Sequence, residues 1–318
     1  MRTHKSFFSF CICLDVFFDE CQLLFRFFFL ILQIVRLQTK VEIRKSSIEI
    51  KPTDRLLFVG SCFADNIGKR FVENRFNAVV NPYGVMYNPA SVWHTCTKIF
   101  NDTLRYDTPA EQATIRSATY DNFDIAVFTL GTSHVYIEKE TGEIVDNCQK
   151  RPQNLFEERE LSVDECARYL KQAVEKVSVD VPVLVIITVS PIRYAKYGFH
   201  ESQLSKATLL LAAEQVAREY DNVEVFPAYE IMNDELRDYR FYEPDMLHPS
   251  AQAVDYIYEQ FKEMFFSEDA KQMEKEWQPI RQALNHRPFN PDGEEYKAFL
   301  AKAKEQEKAF IEKWKIED

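Results

Sequence analysis

The chain lacks any CxxC pair. Its seven cysteines are odd in number and unpatterned: Cys11, Cys13 and Cys21 crowd the start, while Cys62, Cys96, Cys148 and Cys166 are scattered. Disulfide frameworks and thiolate metal cages need regular spacing, so the set points to free thiols in a reducing compartment and to a cytoplasmic protein. Excess positive charge is missing as well. The formal net charge is −11, which offers no general attraction to nucleic acid or anionic lipid. No apolar run is long enough to span a bilayer. A spanning helix needs roughly 20 nearly uninterrupted apolar residues, and Asp15, Asp19, Glu20 and Arg26 interrupt the Phe-rich first 36 residues. The stretch Phe27–Val35 is followed by Arg36-Leu37-Gln38-Thr39-Lys40 and not by a small-residue cleavage site. Residues 1–38 therefore read as an apolar extension that adds little to the fold, with membrane association through residues 7–35 as the alternative. Internal repeats and low-complexity linkers are absent, and glycine is rare, with seven in the chain.

What is present is a soluble-domain pattern from Thr39 onward. Apolar residues make up 46% of the chain and aromatic residues 14%, enough for a sizeable core. Leu56–Val59 is a short apolar run that reads as a buried parallel strand. Cys62–Asn74 follows with Phe63, Ile67 and Phe71 on one helical face. Phe76–Val80 and Asp124–Leu130 predict two more strands. Asn88 and Pro89 mark a helix start between them. Val135–Ile137 and Glu143–Val145 flank Thr141-Gly142 as a hairpin. Ser162-Val163-Asp164-Glu165 is a capping box that opens a helix to about Val177. Strands at Pro182–Val189 and Val223–Phe226 bracket a helix over Glu201–Glu219, and a last core helix runs over Ser250–Phe266. Strands alternating with helices predict a mainly parallel sheet covered on both faces. The domain spans 39–266, and 267–318 forms a helical C-terminal extension.

Ligands of such sheets lie beyond the carboxyl ends of the strands. Gly60, Gly84 and Gly131 fall at or just past three of those ends. Turn chemistry explains any one of them; three at one edge also suit close approach of backbone to a ligand. Ser61 follows Gly60 and opens a helix, where a hydroxyl stands beside a dipole that favours an anion. A plain N-cap accounts for Ser61 equally well. Asp245 and His248 share one loop before the last core helix. A carboxylate three residues before a histidine can hold Nδ1 and stabilise the imidazolium formed when a serine is deprotonated.

Gly60-Ser61-Cys62-Phe63-Ala64 spells the signature of the GSCFA family, which resembles the SGNH/GDSL hydrolase group. Asn81-Pro82-Tyr83-Gly84, Leu130-Gly131-Thr132, Ser190-Pro191-Ile192-Arg193 and Phe241–Ser250 extend the resemblance from about Thr39 to Phe266. It implies a three-layer α/β/α, flavodoxin-like fold and a serine hydrolase acting on esters. Ser61 is then the nucleophile, completed by Asp245 and His248, and the backbone N–H groups of Ser61 and Gly84 face the oxyanion. The group usually carries G-x-N-D after the third strand, with the Asn donating to the oxyanion. Here the run is Gly131-Thr132-Ser133-His134, which leaves Thr132 or Ser133 to supply a hydroxyl or N–H, or an Asn from elsewhere in the chain to take the place. The substrate expected is an O-acyl ester, such as an O-acetyl group on a carbohydrate or small metabolite. No metal or organic cofactor is implied. Acyl transfer on the same fold and an inactive carbohydrate-binding module are the competing readings.

Other residues fit substrate contact or plain structure. Arg193, Tyr194 and His200, with Lys196 and Tyr197, follow the fourth core strand and suit a polar substrate or a solvated loop. Arg237, Tyr239, Arg240 and Tyr242 pose the same choice before Asp245. Cys62 adjoins Ser61 but is expected to pack or point away. His94 and Cys96 lack a third metal ligand nearby, and Lys302–Lys315 reads as a solvated helix face.

Overall fold

The computed structural model describes residues 38–100, 123–146, 148, 151–179, 182–290 and 292–316. The chain divides into two units, Met1–Lys40 and Val41–Asp318. The reading of residues 1–36 as an extension lies outside the described residues.

The second unit is built on a five-stranded sheet in the order β2-β1-β3-β7-β8. These strands are β1 (Arg55–Gly60), β2 (Asn77–Val80), β3 (Ile125–Leu130), β7 (Leu184–Val189) and β8 (Val223–Phe226). All four pairings are parallel. The helices are α1 (Cys62–Glu73), α2 (Pro89–Phe100), α3 (Val163–Val177), α4 (Phe199–Glu219), α5 (Ala251–Phe265), α6 (Glu268–Leu284) and α7 (Glu294–Trp314). The period of two along each strand divides the core. Leu56, Phe58, Ile125, Val127 and Ile186 face α1, α5 and α6. Leu57, Val59, Ala126, Phe128, Val185 and Ile187 face α2, α3 and α4. This is the three-layer α/β/α, flavodoxin-like architecture, with the first strand beside the second and third. Helix starts follow the sequence signals. Asn88 Oδ1 accepts from Ser91 N–H at 2.9 Å, and Ser162 with Glu165 forms the capping box.

A second, antiparallel sheet in the order β5-β4-β6 leaves the carboxyl edge after β3. Its strands are β4 (His134–Glu138), β5 (Ile144–Val145) and β6 (Phe156–Glu160). The sequence predicts the first two as a hairpin; β6 is an addition. Four of its five residues are charged, so its apolar pattern is too thin to read, and pairing with β4 fixes it.

The C-terminal helices share the core of the domain. Met273, Trp277 and Phe310 are buried with Phe71, Tyr258 and Phe266 in one cluster. Asn74 Nδ2 donates to Glu274 Oε1 at 2.9 Å, and Lys262 Nζ lies 3.0 Å from Glu274 Oε2. The segment Lys302–Lys315 is more than a solvated face, because Ala303 and Phe310 turn inward from it. Among the described residues, no helix is long and apolar enough to cross a membrane.

Candidate active site

The carboxyl end of β1 is built for close packing. Gly60 has φ +148°, and a Cβ there would lie 2.2 Å from Thr129 O. Only glycine lets β1 and β3 run side by side to their ends in that conformation. Gly60 N–H donates to Asn81 Oδ1 at 2.8 Å, and Asn81 Nδ2 donates to Asp65 Oδ1 at 2.6 Å. The chain then turns into α1 at Ser61. Ser61 is the N-cap, and its Oγ accepts from Phe63 N–H at 3.3 Å. Ser61 Oγ also lies 3.0 Å from Thr129 Oγ1. Both readings of Ser61 therefore meet in one residue: it caps the helix, and it stands at the sheet edge.

Asp245 and His248 form a tight loop. His248 Nδ1 lies 2.6 Å from Asp245 Oδ2, while Asp245 Oδ1 accepts from Leu247 N–H at 2.8 Å and His248 N–H at 3.0 Å. The backbone N–H groups of His248 and Leu247, aided by the His248 ring, pull the Asp245 carboxyl down to about 2. Arg193 fastens this loop to the exit of β7. Its N–H donates to Leu247 O at 3.0 Å and its guanidinium to Met246 O at 3.1 Å. Met246 sits between the two catalytic candidates at φ +59°, a left-handed conformation that a side chain disfavours.

Ser61 and His248 line one cavity of about 320 Å³. Cys62, Tyr87, Gly131, Ser190, Leu247 and the loop Ile192–Lys196 complete its wall. The Ser61 hydroxyl is engaged with Thr129, and its hydrogen bonds do not include the imidazole among the described residues. A second hollow of about 540 Å³ lies between α1, α5 and α6 and touches His248 from the other side. Its lining is charged side chains such as Arg70, Asp255, Glu274 and Arg281, several of them paired to hold these helices together. It does not include Ser61.

The N–H groups of the expected oxyanion donors are each engaged within the protein. Ser61 N–H donates to Thr129 O at 2.9 Å, and Gly84 N–H to Asn81 O at 2.8 Å within its own turn. Gly84 is not part of the cavity wall. Thr132 N–H donates to Tyr87 O at 2.9 Å, and the Thr132 hydroxyl lies 3.2 Å from Ser205 Oγ. Ser133 is fully buried, donating from Oγ to Glu160 Oε1 at 3.0 Å and from N–H to Ser205 Oγ at 2.8 Å. The physical reason is common to all four: the sheet edge satisfies its backbone groups internally before a ligand arrives. In the first turn of α1, Phe63 N–H reaches Ser61 Oγ and Ala64 N–H reaches Ser61 O. Cys62 N–H, at the first helical position, has no carbonyl of the helix to donate to.

The remaining candidates divide. Arg193 and Tyr194 line the cavity, whereas His200 stands exposed in the first turn of α4, away from its wall. Arg237, Tyr239 and Tyr242 border a separate open hollow with Arg193. Cys62 does not point away; it lines the cavity beside Ser61, and burial pushes its thiol up and disfavours the thiolate. His94 Nδ1 lies 2.7 Å from Asp146 Oδ1, while Cys96 is fully buried. Among the described residues, no group of three or more His, Cys, Asp or Glu can hold a metal ion.

Sequence reasoning misses a polar stripe on α4. Ser202, Ser205 and Lys206 lie at i, i+3 and i+4, all buried. Ser202 Oγ accepts from Tyr194 N–H at 3.1 Å, Ser205 holds Thr132 and Ser133, and Lys206 Nζ donates to Gly131 O at 2.6 Å and Ser190 O at 2.8 Å. One helix face thus braces both loops that wall the cavity. Three polar residues at helical spacing on an otherwise inward face is the signal that marks it.

The fold is a doubly wound α/β/α sheet with Ser61, Asp245 and His248 at its carboxyl edge. The chain belongs to the GSCFA family, whose model matches residues 55–115 and 107–261. The model of the GSCFA domain protein C-terminal domain matches residues 277–317. No curated protein matches the chain at a significant level. Solved structures with a similar outline include a catalytic mutant of Axe2, an acetylxylan esterase from Geobacillus stearothermophilus. It has 13% identity and a TM-score of 0.42, covering 69% of this chain and 98% of that one. A member of the lipolytic protein G-D-S-L family from Veillonella parvula has 15% identity and a TM-score of 0.40, covering 66% and 97%. A carbohydrate esterase family 3 protein from Talaromyces cellulolyticus has 10% identity and a TM-score of 0.34, covering 66% and 94%. Likenesses this distant assign neither a reaction nor a substrate to this chain.

Proposed function

We propose that the protein is a serine hydrolase that cleaves an ester through an acyl-enzyme. The observation that carries this reading is the shared cavity, whose lining includes both Ser61 and an Asp245-paired His248. Rotation of the Ser61 side chain away from Thr129 turns its hydroxyl toward the imidazole. Catalytic hydrogen bonds commonly tighten only when substrate is bound. Ser61 Oγ attacks the carbonyl carbon and His248 takes the hydroxyl proton. The tetrahedral oxyanion collapses, the bond to the alkoxide breaks, and His248 returns the proton to the leaving alcohol. Water then repeats the sequence on the acyl-enzyme. Asp245 fixes the imidazole tautomer and stabilises its charged form. The oxyanion forms against the N-terminus of α1, where Cys62 N–H is available.

The substrate class proposed is an O-acyl ester with a small acyl group on a carbohydrate or small metabolite. Ile192, Leu247 and Tyr87 give the cavity an apolar interior, while Arg193, Tyr194 and Lys196 supply polar groups around it. A hydroxyl-bearing acceptor in place of water makes the same site an acyltransferase. The competing reading, a binding module without turnover, is favoured by the Ser61–Thr129 contact and by Ser133 in place of an oxyanion Asn. A serine-reactive fluorophosphonate separates the two. The hydrolase reading expects one adduct, on Ser61, and ester turnover that the Ser61→Ala variant lacks. An adduct on Cys62, or none with intact protein, contradicts it.

A further inference from the structure

Lys206 is the charged group that the proposed reaction does not use, and its setting is unusual. Its side chain is fully enclosed. Two main-chain carbonyls accept from Nζ, Gly131 O at the end of β3 and Ser190 O at the end of β7. The Tyr229 ring lies 5.9 Å from Nζ. No carboxylate among the described residues lies within ion-pair distance of it. Gly131, Ser190 and Cys62 all line the cavity that holds Ser61. The ammonium therefore sits one peptide unit behind the wall of the site.

Stapling two strand ends does not require a charge. A neutral amide donor can hold a carbonyl, and a buried ammonium without a counter-ion carries a large desolvation cost. Buried charges kept at such a cost gather at functional sites. The chain also lacks the side-chain donor that its fold relatives place after the third strand, and Ser133, which occupies that position, faces Ser205 and Glu160 instead. We propose that Lys206 is a positioning residue: held by Gly131 O and Ser190 O behind the cavity wall, its positive charge stabilises through space the anion that forms when Ser61 attacks. The assignment rests on the serine-hydrolase reading. Burial pulls the Lys206 ammonium down to about 7. Negative charge appearing in the cavity strengthens its hold on the proton, and the low-dielectric wall carries the field of that charge to the reacting atoms.

The test is the rate at which a fluorophosphonate labels Ser61 in the full-length wild type, Lys206→Met and Lys206→Gln. In that reaction the Oγ–P bond forms, the P–F bond breaks, fluoride leaves and the serine proton passes to His248. Charge develops on the phosphoryl oxygen as it does on an ester carbonyl. Met removes both charge and donors at similar length; Gln keeps a donor without the charge. Both variants are expected to lose at least about tenfold in the maximal labelling rate. The reagent's half-saturating concentration should stay within about twofold, since ground-state binding does not use the charge. Lys206→Gln labelling at the wild-type rate overturns the proposal and leaves Lys206 a staple. Failure of both variants to fold also overturns it, by making the role structural. A wild-type chain that takes no label on Ser61 fails the hydrolase reading itself, and the Lys206 assignment with it.

Discussion

At the scale of single residues, the site turns on where protons sit. Asp245 has its carboxyl pulled to about 2, below the roughly 3.9 of a free aspartate. A depressed carboxyl pKa gives a contribution that is complete above the unfolded value and is lost as pH falls through the folded one. The Asp245–His248 pairing thus persists down to about pH 4 and fails between there and about pH 2. Across the working range Asp245 stays ionised, so it adds no acid limb of its own to kcat/KM near neutrality. His248→Asn should remove most of the activity. Asp245→Asn should lower kcat by about a thousandfold or more through the wrong tautomer. A pH–rate profile with a second acid-side ionisation that Asp245→Asn abolishes would contradict this. Ser61→Ala should cost at least about a thousandfold in kcat. Cys62→Ala should stay within about tenfold, because burial keeps that thiol protonated. Ser61, Asp245 and His248 were legible as candidates because each lies in a short motif, and Ser61 and His248 line one cavity. Which amides are free to meet a ligand was not legible, because an amide's availability depends on carbonyls distant in sequence, such as Thr129 O for Ser61.

At the scale of elements, strands and helices followed the sequence closely where a period of two or 3.6 was unbroken. Charge-rich β6 escaped because its stability comes from its ladder with β4, not from its own apolar residues. The loop from Tyr242 to Ser250 shows the same dependence on partners. Its ends meet in an isolated bridge, Tyr242 with Pro249. Its centre carries Met246 in a left-handed conformation, a strain of about 1–2 kcal/mol. The two Arg193 hydrogen bonds to Met246 O and Leu247 O offset that strain. Phe199, whose ring lies 4.0 Å from the guanidinium carbon, holds Arg193 in place. Arg193→Ala keeps the backbone bond but loses the guanidinium, so the loop should loosen without global unfolding. The expected result is a fall of about tenfold or more in kcat with Tm changed by no more than about 2 °C. Amide hydrogen exchange over Asp245–His248 should quicken in the same variant. Unchanged exchange there would show that Arg193 serves the substrate and not the loop.

At the scale of the whole molecule, the question is whether the C-terminal helices are an accessory. The sequence divides the chain at residue 266, where the apolar periodicity gives way to charge-rich helices. In the structure the two parts pack together: Met273, Trp277 and Phe310 lie in the same cluster as the α1 and α5 residues under the sheet. Three large apolar side chains contribute about 5–9 kcal/mol of burial, comparable with the entire net stability of a typical domain, about 5–15 kcal/mol. Deleting 268–318 also removes Glu274, leaving Lys262 and Asn74 without a partner they now hold in the interior. A chain ending at Ser267 should therefore fail to unfold cooperatively and should aggregate. The single change Trp277→Ala isolates the packing part of the effect. It empties the space between the Arg75 guanidinium, 4.9 Å from the indole, and the Phe310 ring, 5.1 Å away. It also removes the hydrogen bond from Nε1 to Glu73 O at 2.7 Å. A buried Trp→Ala change costs about 3–5 kcal/mol, which for a body of this size lowers Tm by about 10 °C. Thermal unfolding of Trp277→Ala checks it directly, and a Tm within about 2 °C of wild type would return the C-terminal helices to the status of an appendage. Because Trp277 does not line the cavity that holds Ser61 and His248, the variant should label with fluorophosphonate at the wild-type rate below its melting range, separating the support of the fold from the chemistry at the sheet edge.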